Sequence, residues 1–334
     1  MSYIIGGVTM ETPLILGAGV CKDPRHLIPY LHPDLPIGAV VAGSVTPEFR
    51  SGNEGVVQWP ADWTTFLEAR CGVNSHGMPN LGIEDFLERF TSVPLTRPGI
   101  VSIAAFSAVN YARCTLLAHD CEQVSAIELN WGCGNTGKIP DAYSYSDAHA
   151  TLEALSALAR CGRLTKPIWV KLSPYITTEE RDQLANTHPE IDYGAVPVVQ
   201  QGFAEAMVQL IAQYPLIKAV VFSNTLANCR ILDATGKSVT TPFDGKAGLS
   251  GPILRNISIG LIRRSLEIVP PWYELDFIGC GGILTGDDVV DYFDAGASAI
   301  QCTSGPVWHP NGQRFFVNLV TESERFQSYL AAKA

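Results

Sequence analysis

The stretch LDFIGCGGILTGDDVVDYFDAGASAIQCTSG, residues 275–305, holds two apolar runs with a glycine pair and a helix start between them. Leu275 to Gly279 and Ala297 to Cys302 are short and nearly continuous in apolar character, as strands are when a parallel sheet is covered on both faces. Between them, Asp287 to Ala295 carries a helical pattern. Thr285 stands just ahead of Gly286, Asp287 and Asp288, which puts acidic side chains in a first turn where the helix dipole favours them. The unit reads strand, helix, strand. Six further runs repeat it upstream: Pro13 to Ala18, Ile37 to Ala42, Ile100 to Ala105, Ala126 to Trp131, Pro167 to Leu172 and Ile217 to Phe222. Helical patterns at Asp147 to Cys161, Thr178 to Ala185, Phe203 to Tyr214 and Asn256 to Ile268 fall among them, with Asp147 and Thr178 read as N-terminal signals. Eight such runs predict an α/β fold, a closed (β/α)₈ (TIM) barrel; an open doubly wound sheet is the alternative.

Composition narrows the rest. The chain has 334 residues, 46% hydrophobic and 17% charged, enough for a large core, and it is expected to form one domain over residues 1–334. Acidic residues outnumber basic ones, 33 to 23, for a formal charge of −10. With no Lys/Arg stripe to neutralise phosphates, nucleic-acid binding is not expected. No apolar segment is long enough for a bilayer, and the opening MSYIIGGVTMETP lacks the parts of a secretion signal, so a cytoplasmic protein away from membranes is expected. Nine scattered cysteines with no CxxC argue against disulfides and a structural metal. The longest irregular piece, Leu226 to Gly251, reads as a loop with its own hairpin. Following the sixth strand, it would lie over the barrel mouth where chemistry occurs.

In a barrel, residues just after each strand gather at one rim. Here these are Gly17, Ala18 and Gly19; Gly43 and Ser44; Asn130 to Asn135; Lys171; Asn224; Gly281 and Gly282; and Thr303 to Gly305. Small residues let a flat or phosphorylated ligand approach the backbone, and Asn amides donate and accept on one planar substrate. Gly281-Gly282 and Thr303-Ser304-Gly305 offer backbone N–H donors at the usual barrel phosphate position. Alternatively they are a tight turn and a polar loop. Lys171 is expected to point into the mouth and stabilise negative charge there, unless the strand register places it outside. Cys133 lies in the Gly-rich loop ELNWGCGNTGK and is expected to be more exposed than the other eight cysteines, as a base or nucleophile. Gly132, Gly134 and Gly137 also match a dinucleotide fingerprint, but Lys138-Ile139-Pro140 interrupts the helix that motif requires. His76 and His309 lie in loops without visible partners and stay unassigned.

From about residue 10 to 325, the chain resembles the dihydroorotate dehydrogenase family, especially its soluble, fumarate-linked class. The matching segments include GAGVCKDP, TPEFRSGN, NSHGMPNLGIEDF, ELNWGCGN, VKLSPY, SNTLAN and GLSGP, together with residues 279–298. The resemblance implies an FMN-containing barrel with loop insertions over its C-terminal mouth that oxidises dihydroorotate to orotate in pyrimidine biosynthesis. It implies that Asn74, Asn130, Asn135 and Asn224 hold the pyrimidine, with Gly77, Met78 and Thr225 beside it. Cys133 would remove the C5 proton while the C6 hydride passes to the flavin. Lys171 would sit at the flavin edge, and Gly17, Ala18, Gly19, Ser44, Asn130, Gly251, Gly281, Gly282, Thr303 and Ser304 would contact FMN. Fumarate or another small oxidant is the implied electron acceptor, and a homodimer the implied assembly.

Two departures stand out. The family usually carries a lysine after its second strand, where this chain has Gly43; the lost charge-assisted contact is worth about 1.5–3 kcal/mol. The cysteine loop, usually NLSCPN, reads NWGCGN, and Trp131 is expected to add bulk beside the pocket. A diverged relative acting on another dihydropyrimidine or an unrelated substrate, or a non-catalytic FMN-binding subunit, stays open.

Overall fold

Every apolar run becomes a strand, and the eight strands pair in parallel in chain order until the last meets the first. They are β1 (Leu14–Leu16), β2 (Ala39–Val45), β3 (Gly99–Ile103), β4 (Val124–Asn130), β5 (Ile168–Lys171), β6 (Ile217–Phe222), β7 (Asp276–Cys280) and β8 (Ala299–Cys302). The computed structural model describes residues 2–134 and 140–333. Closure settles the choice between barrel and open sheet in favour of the barrel. Among the described residues, no helix is long and apolar enough to cross a membrane.

Continuous apolar runs are needed because each strand faces two cores. Outward residues such as Leu14, Val40, Val101, Ile127, Val170 and Val220 pack under the surrounding helices. Inward residues, among them Ile15, Val41, Ile100, Trp169, Val221 and Ile278, form a separate cluster within the barrel. An N-terminal hairpin, Tyr3–Ile5 paired with Val8–Met10, adds Ile5, Val8 and Met10 to that inner cluster. It is fastened at its turn, where the Trp169 indole donates to the Gly6 carbonyl at 2.8 Å and the Gly6 N–H donates to Asp276 at 2.6 Å.

The predicted helices form with small shifts at their ends. Gly286–Asp294 starts at Thr285 with a reciprocal cap: Thr285 accepts from the Asp288 N–H, and the Asp288 carboxylate accepts from the Thr285 N–H. Two other starts lie earlier than expected. Ser144 rather than Asp147 caps Tyr145–Arg160, and Thr177 rather than Thr178 caps Thr178–Thr187, in both cases because a hydroxyl three residues upstream reaches the N3 N–H.

The Leu226 to Gly251 segment does form a hairpin, Leu226–Ile231 against Ala247–Ser250, and it belongs to a larger sheet. That sheet runs Ile191–Asp192, Leu226–Ile231, Ala247–Ser250, Gly72–Asn74, Gln58–Trp59, antiparallel throughout. It joins the insertion after β2 to the insertion after β6, and Gln58, Asn74 and Ser250 face the same cavity as the strand ends.

Candidate functional site

Side chains alternate along a strand, so every second residue faces the barrel interior. Moving two positions toward the C-terminal ends, the inward set changes character: Val41 gives way to Gly43, Ile100 to Ser102, Ala126 to Glu128, Trp169 to Lys171 and Ala299 to Gln301. The apolar plug ends there and a polar floor begins. Above it lies a cavity of about 420 Å³, within the range of small-molecule sites. Among the described residues that line it there are two lysines and two histidines but no Asp or Glu, in a chain of formal charge −10.

The floor is one connected set of hydrogen bonds. The Lys171 ammonium donates to Gln301 Oε1 at 3.0 Å, and Gln301 Nε2 donates to the Glu128 carboxylate at 2.8 Å. Ser102 donates to the other Glu128 oxygen at 2.8 Å and lies 3.1 Å from the Ser44 hydroxyl. Asn130 Nδ2 donates to Ser44 at 2.6 Å, and Asn224 Nδ2 donates to Asn130 Oδ1 at 2.7 Å. Glu128 and Gln301 are fully buried and Lys171 is 4% exposed, so the set is shielded from bulk water. Burial opposes the Lys171 cation, yet its pKa lies above the ordinary lysine value because Cys280 and Glu128 beside it favour the charged form. Cys280 itself is pushed up by burial, with Lys171 opposing. Such a floor holds a fixed positive charge beneath whatever flat group rests on it.

Cys133 stands over this floor in the loop after β4, within electrostatic reach of Lys171. The loop is pinned at its base: the Trp131 N–H donates to the Lys171 carbonyl at 3.1 Å and the Ala142 N–H to the Trp131 carbonyl at 2.9 Å. The Tyr111 hydroxyl adds a bond to Asp141 at 3.0 Å. The glycines flanking Cys133 allow close approach to the segment after β6, since a Cβ on Gly132 would lie 2.7 Å from Asn224 Cβ and one on Gly134 2.4 Å from Ala227 Cβ.

Of the residues singled out from sequence, Asn74, Met78, Asn130, Cys133, Asn224 and Thr225 line the cavity. So do Ala18, Gly19, Ser44, Gly281, Gly282, Thr303 and Ser304, with Lys171 at the floor. Gly17, Gly77 and Gly251 are not in the lining. Each is packed behind it, where a Cβ would meet Thr303, Asn53 and the Arg70 carbonyl respectively. Asn135 and Gly137 lie outside the described residues. At the Gly281-Gly282 end, a Cβ on Gly282 would lie 2.9 Å from the Arg255 nitrogen and 3.0 Å from the Gly251 carbonyl. Thr303 closes this end by donating to the Ala18 carbonyl at 3.2 Å. Bare backbone with hydroxyls, and no acid among the described lining residues, suits a phosphate at this end and a planar ring above Lys171.

Two expectations fail. Cys133 is only partly exposed and Cys161 is the exposed thiol, because position 161 caps a helix at the surface while position 133 faces the cavity. Trp131 does not crowd the pocket. It is 1% exposed and packs outward among the helices, since it follows the inward-facing Asn130 by one residue and so takes the opposite face.

Sequence reasoning missed Glu128, Gln301 and Ser102, although a visible signal marked them: polar residues at inward positions of otherwise apolar strands. It also missed Lys22, His26 and Gln58, and it left His76 unassigned; all four line the cavity. His76 Nε2 bonds Gln58 Oε1 at 3.0 Å. Burial, and next the Lys22 charge, push the His76 pKa down to about 4, so it is neutral near pH 7. No local pattern distinguished these residues, which come from the segment after β1 and the insertion after β2 and meet only in the folded chain.

The sequence profile of the family described as dihydroorotate dehydrogenase matches residues 2–199 and 195–325. A probable dihydroorotate dehydrogenase A (fumarate) from Enterococcus faecalis is 27% identical over 301 residues, covering 89% of this chain and 83% of that protein. The catalytic subunit of dihydroorotate dehydrogenase B (NAD(+)) from the same species is 27% identical over 312 residues, covering 90% and 83%. Dihydroorotate dehydrogenase A (fumarate) of Lactococcus lactis subsp. cremoris is 26% identical over 298 residues, covering 87% and 83%. The chain belongs to the dihydroorotate dehydrogenase family, whose members are flavin oxidoreductases.

Proposed function

We propose that this member of the dihydroorotate dehydrogenase family binds FMN and oxidises dihydroorotate to orotate. The observation that carries the reading is the convergence of Cys133, Lys171, Asn74, Asn130 and Asn224 on one cavity without a lining carboxylate among the described residues. Gly281, Gly282, Thr303 and Ser304 would hold the FMN phosphate, and Ala18, Gly19 and Ser44 would flank its ring above Lys171. When bound, FMN supplies the hydride acceptor for C6. The Asn130 and Asn224 amides, already locked to each other and to Ser44, orient the substrate amides without induced rearrangement. The Cys133 thiolate takes the proton from C5, which is acidified by the adjacent carbonyl. Lys171, kept protonated over Glu128, stabilises the negative charge that accumulates above it. Fumarate is the proposed acceptor for the electrons, in line with two of the relatives named above.

Gly43 favours a second reading, the same chemistry on another dihydropyrimidine, because the strand end at position 43 presents no side chain. An anaerobic absorbance spectrum before and after dihydroorotate separates the two. Bleaching of the flavin bands supports dihydroorotate. A flavin spectrum that stays unchanged moves the substrate elsewhere, and purified protein with no flavin that gains no stability from added FMN refutes the cofactor.

A further inference from the structure

Among the described residues, one cation in the cavity wall has no partner. Lys22, in the turn after β1, lines the cavity, is half-buried, and has no ion-pair or hydrogen-bond partner among the described residues. Its neighbour Asp23 would be the natural counter-ion but is engaged elsewhere. The Asp23 carboxylate accepts from Arg25 N at 3.0 Å, Arg25 Nη2 at 2.6 Å and Arg89 Nη1 at 2.6 Å. His76, which feels the Lys22 charge, is a neutral ring tied to Gln58. Burial lowers the Lys22 pKa as well, the mark of a cation stripped of water without compensation. An unpaired, partly desolvated ammonium at a ligand cavity gains most from an anion arriving with the ligand.

The site also says where on the ligand that anion belongs. Lys171 is already committed to Gln301 at the floor, and Gly43 cannot carry a charge into the cavity, since even its Cβ would lie 2.6 Å from the Ser102 carbonyl. Lys22 shares its wall with His76 and Gln58, on the side where Asn74 pairs with Gln58 across the covering sheet. We propose that Lys22 is the residue that recognises the substrate's anionic group, pairing with a carboxylate carried by the ring that Asn130 and Asn224 hold. This assignment rests on the reading of the cavity as the substrate site of an FMN-loaded enzyme.

The test titrates the FMN-loaded protein with three probes, read by flavin difference absorbance: orotate, uracil as the same ring without the carboxylate, and fumarate as a carboxylate without the ring. The wild type is compared with Lys22→Gln and Lys22→Arg, each checked for FMN content and melting temperature. Lys22→Gln should weaken orotate about ten- to a hundredfold, leave uracil unchanged, and be largely rescued by Lys22→Arg. Orotate binding that survives Lys22→Gln, or an equal loss of orotate and uracil, overturns the proposal. If the wild type binds neither ring, the dihydroorotate reading fails by itself and fumarate decides about Lys22. Weaker fumarate binding in Lys22→Gln then sustains the anion site, and unchanged or absent binding removes it.

Discussion

Restoring a side chain at position 43 should damage the fold rather than repair binding. Gly43 has φ +105 and lies inside the barrel wall, where a Cβ would be 2.6 Å from the Ser102 carbonyl and 2.9 Å from Val45 Cγ2. Two costs add. A non-Gly residue in that region of backbone space is strained by about 1–3 kcal/mol, and overpacking against a closed wall costs about 1–3 kcal/mol more. Gly236 isolates the first cost, because it too has positive φ (+81) but nothing within 4 Å of its Cβ. For a chain of this size, about 2 °C of melting temperature goes with each kcal/mol. Gly236→Ala should therefore lower the melting midpoint by about 2–6 °C, and Gly43→Ala by about 2–6 °C beyond that. Differential scanning fluorimetry at one scan rate measures both. Gly43→Lys should behave like Gly43→Ala or worse and should not tighten orotate. A Gly43→Ala protein that melts at or above Gly236→Ala refutes the crowding argument, and a Gly43→Lys protein that is stable and binds orotate more tightly refutes the account of where the cation can sit.

Cys133→Ala should retain FMN while slowing flavin reduction by dihydroorotate about 10²–10⁴-fold in anaerobic stopped flow, the usual worth of a positioned base; an unchanged rate removes Cys133 from proton transfer. Lys171→Met should destabilise the protein by about 1–3 kcal/mol, because it strips buried Gln301 Oε1 of its donor and removes the cation that reaches Glu128 through Gln301, and adding Glu128→Gln should recover part of the loss; a double variant no better than the single one sinks the coupling. The His76 pKa falls from an ordinary value of about 6.5 to about 4 on folding. The unfolded chain thus binds the proton that the folded chain rejects, and stability should decline as pH falls from about 6.5 to 4. His76→Gln should flatten that part of a melting-temperature profile against pH, and a profile of unaltered slope shows that His76 does not drive it.

The barrel was legible in the sequence because its cause is local and repeated. A strand covered on both faces must be apolar at successive positions, and all eight runs from Pro13–Ala18 to Ala297–Cys302 show it. The same holds for Lys171, an isolated cation in the run IWVK, and for the start at Thr285, whose partner Asp288 is three residues away. Side-chain direction was less legible: Trp131 looked like a pocket residue until the register of β4 turned Asn130 inward and Trp131 outward. Least legible was the wall opposite the floor. Gln58 and Asn74 meet because two short strands pair in a sheet that also takes Ala247–Ser250, some 170 residues away, and Lys22 faces His76 across loops with no periodicity. Sequence alone therefore determined eight buried parallel strands alternating with helices and small, amide-rich strand ends, since apolar continuity and capping act over a few residues, while closure into a barrel was read from the strand pairing. Only the tertiary structure decided which charges share the cavity, that Asp23 leaves Lys22 without a partner among the described residues and that Gly43 has room for nothing larger, because those are distances between segments that chain order does not relate.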